Sequence, residues 1–123
     1  AIDLRAAPAE ALDLPDESMD AVVGTLVLCS VHDPVRVLSE VRRVLRPGGR
    51  FVFIEHVASP AGTARRRMQN MTQPLMTFFA DGCHPNRATL ATIEQARFRD
   101  LTVEHFSVPA WIVGPHICGV AKL

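Results

Sequence analysis

The chain has no excess of charge of either sign: 13 Lys and Arg offset 13 Asp and Glu. That leaves no general basic field to hold a nucleic acid, so no nucleic-acid partner is expected. Arg65-Arg66-Arg67 is the one local basic run and reads as a solvated helix face. Cysteine is scarce. Cys29, Cys83 and Cys118 are odd in number, widely spaced and without a CxxC pair. Neither a disulfide framework nor a zinc site is suggested, no metal is expected, and a reducing, cytoplasmic setting is the default. No apolar run approaches the roughly 20 residues of a membrane span, and no signal peptide is visible. Internal repeats and low-complexity stretches are missing too. So is an initiator methionine, which makes a piece of a longer protein one expectation.

What is present is globular: 48% of the residues are hydrophobic and 21% charged, a balance that supports one domain with a modest core. The centre of the chain is Asp20 to His56. Asp20 to Leu28 is a near-continuous apolar run of strand length, as in a parallel strand buried on both faces. Asp33-Pro34 supplies an N-cap and a first helical proline. Val37, Leu38, Val41, Val44 and Leu45 then recur at helical spacing, while Arg36, Ser39, Glu40, Arg42 and Arg43 fill the other face. Pro47-Gly48-Gly49 stops the helix, and Phe51 to Ile54 begins a second strand that runs to Glu55-His56. The sum is a strand-helix-strand unit.

The flanks are less regular. Ile2 to Ala6 alternates weakly and could be a short strand, followed by a polar, proline-bearing turn to Ser18. Thr63 to Ala80 reads as a helix that Pro74 should kink or split. Its Met and Phe residues read as core, or as a lid facing a substrate. Asp81 to Arg87 packs a carboxylate, a thiol, an imidazole and a guanidinium into one loop. It is either functional or a turn in which Asn86 caps the next helix, about Arg87 to Arg97. Leu101 to Ser107 and His116 to Lys122 are the last strands, close enough in sequence to pair antiparallel.

Three stretches together resemble a known family: Leu14 to Val23, Leu26 to Val31, and the string E-x-x-R-V-L-R-P-G-G-R-F from Glu40 to Phe51. On these the chain resembles the class I S-adenosylmethionine-dependent methyltransferases, nearest to the type 11 group. Asp81-Gly82-Cys83, Asn86-Arg87 and Pro115-His116-Ile117 are similar to the methyltransferase-like thiol S-methyltransferases. The resemblance spans essentially residues 1–123, read as the C-terminal portion of a methyltransferase domain. It implies an α/β fold, a partial Rossmann-like class I methyltransferase sheet made of family strands 3 to 7, mostly parallel with an antiparallel last strand. Ile2 to Ala6 would be strand 3, Asp20 to Leu28 strand 4 and Phe51 to His56 strand 5. The glycine-rich loop that opens the family's sheet is not in this sequence; its only adjacent glycines, Gly48-Gly49, precede strand 5.

The resemblance implies S-adenosyl-L-methionine as cofactor and methyl transfer to a small-molecule acceptor, a thiol or a lipid-like compound. Ala9 and Glu10 match the loop that contacts the adenine, and Thr25, Leu26 and Val27 the strand end against the methionine part. Cys29 and His32 would face the transfer site, although a cysteine there more often fills a small apolar space. His56 is the first choice for a base, followed by His84 and Asp81. Glu55, His116 and Trp111 complete the expected acceptor contacts. The alternative is a non-catalytic half-domain that pairs through strand 20–28, whose long apolar edge invites a homodimer.

Overall fold

The computed structural model describes residues 2–123. Its elements are β1 (Met19–Thr25), α1 (Pro34–Val44), β2 (Leu45–His56), α2 (Ala64–Phe79), α3 (Thr89–Gln95), β3 (Asp100–Ser107) and β4 (Pro115–Lys122). The strands form one open sheet in the order β1-β2-β4-β3. β1 runs parallel to β2, and β4 is antiparallel to both its neighbours. Three strands therefore point one way and the last in sequence points back, as expected.

Helix α1 forms where the sequence places it. The Asp33 carboxylate accepts from the Arg36 N–H, and Pro34 takes the first turn. Val37, Leu38 and Val41 of its stripe are buried in one core cluster with the sheet residues Phe51, Phe53, Ile117 and Ala121, and Val44 is buried as well. Each large side chain so buried contributes about 1.5–3 kcal/mol. Pro47-Gly48-Gly49 is a bulge inside β2 rather than a turn before it. The pairing passes from Met19 opposite Leu45 to Ala21 opposite Arg50, and the intervening residues loop out at Gly48, whose φ is +78°. Gly119 is required in β4, because a Cβ there would strike the Thr102 carbonyl and stand 2.7 Å from the Phe53 ring.

Several expectations change. Ile2 to Ala6 is not a strand: Ile2 and Leu4 are almost fully exposed, and no neighbouring strand offers backbone partners. β1 ends at Thr25, because Leu26 takes a φ of +55°. Nor is β1 buried on both faces. Val23 is 71% exposed and Ile54 41%, since α1 covers only the opposite side of the sheet. Helix α2 runs unbroken through Pro74 with Thr63 as its N-cap. Its Met71, Leu75, Phe78 and Phe79 are exposed, so they are not core, and the buried residue of this helix is Gln69. Helix α3 is shorter than expected and lacks a side-chain cap; Asn86 instead donates to the Asn70 side chain. Among the described residues no helix is long and apolar enough to cross a membrane.

Candidate functional site

In an open α/β sheet, ligands are held by the loops at the carboxyl ends of the parallel strands. Here those loops are residues 26–33 after β1 and 57–63 after β2, with residues 81–87 packed against them. The first loop is built around Glu55, which is fully buried. Its carboxylate accepts from the backbone N–H of Val27 at 2.9 Å, Leu28 at 3.0 Å and Cys29 at 3.3 Å. Burial raises its pKa against the three donors. Glu55 thus ends an apolar strand as a clamp on the loop rather than as a free acceptor contact.

Arg87 grips the same loop from the far side. One of its Nη atoms donates to the carbonyls of Leu28 at 2.6 Å and Val31 at 2.8 Å. The His84 N–H donates to the Cys29 carbonyl at 2.8 Å. Gly82, with φ of +82°, lies so close that a Cβ would stand 3.0 Å from the Ser30 carbonyl. Gln69 fastens α2 to the second loop: its amide oxygen accepts from Ser59 N–H at 2.8 Å and its nitrogen donates to Ile112 O at 2.8 Å. Arg87 belongs to the 81–87 loop that the sequence singles out, though not to the expected site residues, and Gln69 is not among them either. A guanidinium in a cysteine-histidine loop was the available signal for the first; nothing marked the second.

Cys29, His56 and Cys83 meet between these loops. All three are buried, and one sulfur or nitrogen donor from each lies within 4.8 Å of the others. His56 Nε2 stands 2.8 Å from Cys83 Sγ, while its Nδ1 is buried without a partner. Burial, with His116 and Arg87 nearby, pushes the imidazole down to about 4. Burial likewise raises the Cys29 thiol to about 11 and the Cys83 thiol in the same direction. The trio is therefore neutral at pH 7: two thiols and an uncharged ring. Wide sequence spacing hid this cluster.

The remaining expected positions divide by place. His116 stacks on Phe106 at 5.2 Å, with its ring 6.1 Å from that of His56. Its Nδ1 lies 2.9 Å from the Gly114 carbonyl. A carbonyl only accepts, so Nδ1 carries a proton, and in the uncharged ring the lone pair is on Nε2. His116, Phe106, Ser59, Arg66 and Thr89 line a cleft of about 510 Å³. His84 supplies its N–H to Cys29, and its own Nδ1 is buried and unpartnered. Asp81 is exposed at a φ of +50°. Trp111 is 52% exposed and does not line the cleft.

Ala9 and Val27 line one small apolar cavity of about 160 Å³ beside β1. That is below the roughly 300–1,000 Å³ of ligand pockets. Thr25 and Leu26 lie exposed at the open end of β1. Glu10 is engaged elsewhere: its carboxylate accepts from the N–H of His32 at 3.1 Å and Asp33 at 3.2 Å. Those bonds, with Asp33 the larger, lower its pKa. His32 is exposed and touches Glu10 only through its backbone.

Comparison with known proteins gives a consistent picture. Residues 1–53 match the model of a methyltransferase domain of the type 11 group. The chain is 48% identical over 118 residues to the human thiol S-methyltransferase TMT1B, covering 94% of this chain and 48% of that protein. It is 45% identical over 108 residues to human thiol S-methyltransferase TMT1A, covering 86% and 44%. The chain thus spans about half the length of these curated relatives. Among solved structures, a SAM-dependent methyltransferase from Thermotoga maritima superposes with a TM-score of 0.67 at 20% identity, over 93% of this chain and 60% of that one. An S-adenosylmethionine-dependent methyltransferase from Mesorhizobium loti gives 0.64 at 22%, over 95% and 68%. These two likenesses establish the class I methyltransferase fold.

Proposed function

We propose that this chain, 48% identical over 118 residues to a thiol S-methyltransferase and folded like the class I methyltransferases, serves S-adenosylmethionine-dependent methyl transfer to a small thiol with an apolar body. The observation that carries this reading is the 48% identity across 94% of the chain. The sheet end where the loops converge agrees with it.

The residues present fit one side of the cofactor. Ala9 and Val27 offer an apolar wall beside β1, and Thr25 and Leu26 an accessible strand end. When bound, the sulfonium would supply an electrophilic methyl group for in-line displacement. The chain's own part is to position the acceptor and take its proton, since the thiolate is the nucleophile. His116 is better suited to that proton than His56. Its Nε2 is free to accept and it lines the 510 Å³ cleft, whereas His56 is buried against Cys83. Arg66, in the same cleft, and the exposed apolar stripe of α2 favour an acceptor with an apolar body and a polar end. Loops 26–33 and 81–87 hold this architecture in register through Glu55 and Arg87.

A second reading keeps its own observation. β1 pairs with β2 alone and its other edge is free among the described residues, so a homodimer or a non-catalytic pairing module formed through strand 20–28 is proposed as the alternative. Calorimetric titration with S-adenosylhomocysteine, followed by a thiol methylation assay of His116→Asn, separates the two. The enzyme reading expects micromolar binding, and in the variant a rate loss of ten-fold or more with binding retained. A folded chain that binds no S-adenosylhomocysteine overturns it.

A further inference from the structure

Cys29, His56 and Cys83 come from three different parts of the fold: the loop after β1, the last residue of β2, and the loop after α2. A buried cysteine by itself is ordinary apolar filling. Two of them converging with an imidazole, each presenting its donor atom to the others, is a ligand set. We propose that these three side chains bind one thiophilic metal ion of the zinc class. The inference goes beyond the methyl-transfer reading and does not depend on it.

The donor chemistry and the spacing both fit. Thiolate and imidazole are preferred zinc ligands. Bond lengths of about 2.3 Å to sulfur and about 2.0 Å to nitrogen place tetrahedral neighbours roughly 3.5 Å (S to N) and 3.8 Å (S to S) apart. The trio here spans separations from 2.8 Å, between His56 Nε2 and Cys83 Sγ, to no more than 4.8 Å. Shifts of about an ångström convert one arrangement into the other. Charge balances as well. Binding a divalent ion releases one proton from each thiol to solvent, and two thiolates plus the ion are neutral overall, which a buried site requires.

The surroundings hold the ligands in place without competing for the ion. The Glu55 carboxylate, the nearby hard ligand, is occupied by three backbone N–H groups. The His84 N–H to Cys29 carbonyl bond and the Arg87 bonds to Leu28 and Val31 fix the two cysteine loops against each other. Cys29 donates weakly to the Leu26 carbonyl at 3.4 Å, a bond that ion binding would replace.

Cobalt(II) titration of the reduced, full chain tests this, because thiolate-to-cobalt charge transfer and tetrahedral visible bands report ligand type and geometry directly. The expected result is one equivalent bound, with charge-transfer intensity for two thiolates, and displacement of cobalt by zinc at sub-micromolar concentration. Cys29→Ser and Cys83→Ser should each halve the charge-transfer band or abolish it, and His56→Gln should weaken binding at least ten-fold. Cys118→Ser, outside the cluster, should leave the titration unchanged; circular dichroism of each variant checks that it folds. Absence of a thiolate band in the folded wild-type chain overturns the proposal. So does a band that survives in both cysteine variants, or oxidation of Cys29 and Cys83 to a disulfide under conditions where added zinc gives no protection. S-adenosylhomocysteine binding is measured on the same samples, so a chain that binds it but takes up no cobalt sinks this inference alone.

Discussion

Both ends of the sheet are tied down by charged side chains that reach for backbone groups, and they do it in opposite surroundings. At the carboxyl end, Glu55 and Arg87 work inside the protein: the carboxylate takes three backbone donors and the guanidinium two carbonyls, with no direct partner of opposite charge among the described residues. At the amino end, Arg43 on α1 binds the carboxylates of Glu40 and Asp16 and the carbonyls of Leu12 and Leu14, all near solvent. Arg46 and Asp20 form a further exposed pair. The amino end is a network of ion pairs that water can replace. The carboxyl end is a set of single clamps that nothing can replace, and it is the end that positions the site. Removing a clamp there leaves buried backbone groups unsatisfied, which costs their full desolvation.

Glu55→Ala is the sharpest way to break the comparison. It orphans three N–H groups and opens a small void, so unfolding in urea should show a loss of about 3–4 kcal/mol. S-adenosylhomocysteine binding should fall with it, because Thr25 to Val27 lead into the released loop. A loss below about 1 kcal/mol would mean that water enters the loop and that the two ends are alike. Arg87→Met comes next. Methionine keeps much of the apolar stem but neither hydrogen bond to Leu28 and Val31, and the expected loss is about 2 kcal/mol. The comparison sharpens if protection of the residue 28–31 amides from hydrogen exchange drops while that of α1 holds.

The same contrast explains what could be read in advance. Helix α1 was legible because capping and stripe are local: Asp33, Pro34 and Val37 to Val44 need no knowledge of their partners. Strand β3 was legible by the alternation of Leu101 to Phe106, and the later part of β2 by the apolar run Phe51 to Ile54. Ile2 to Ala6 has some of the same alternation, yet a strand exists only beside another, and here none adjoins it. The apolar run of β1 promised burial on both faces, but burial belongs to the covering layer, and α1 lies on one side only. Glu55 and His56 stood out as polar residues ending an apolar strand, though the backbone clamp made by Glu55 was invisible. The meeting of Cys29, His56 and Cys83 was hidden for a plain reason. Their separations in sequence carry no ligand spacing, and only the order of the strands and the return of the 81–87 loop bring them into one shell.

Glu40→Gln, at the amino end, is expected to have the smallest effect, and its pH dependence tells whether the ion-pair picture is right. Hydrogen bonds from Arg43, aided by the Leu12 N–H, hold the Glu40 carboxyl down at about 2, against 4.5 for the free group. A pKa lower in the folded state favours folding wherever the carboxylate is ionised in both states, so the contribution is complete above about pH 4.5. It disappears as the pH falls through 4.5 toward 2, because the unfolded chain then binds a proton that the folded protein does not. At neutral pH the difference between wild type and Glu40→Gln should be about 0.5–1 kcal/mol, modest because the pair is near solvent. It should be flat from about pH 5 to 8 and close below pH 4, and added salt should shrink it. A gap that persists unchanged at pH 2 would show that Glu40 acts by packing, which would make the amino end resemble the buried clamps of the other.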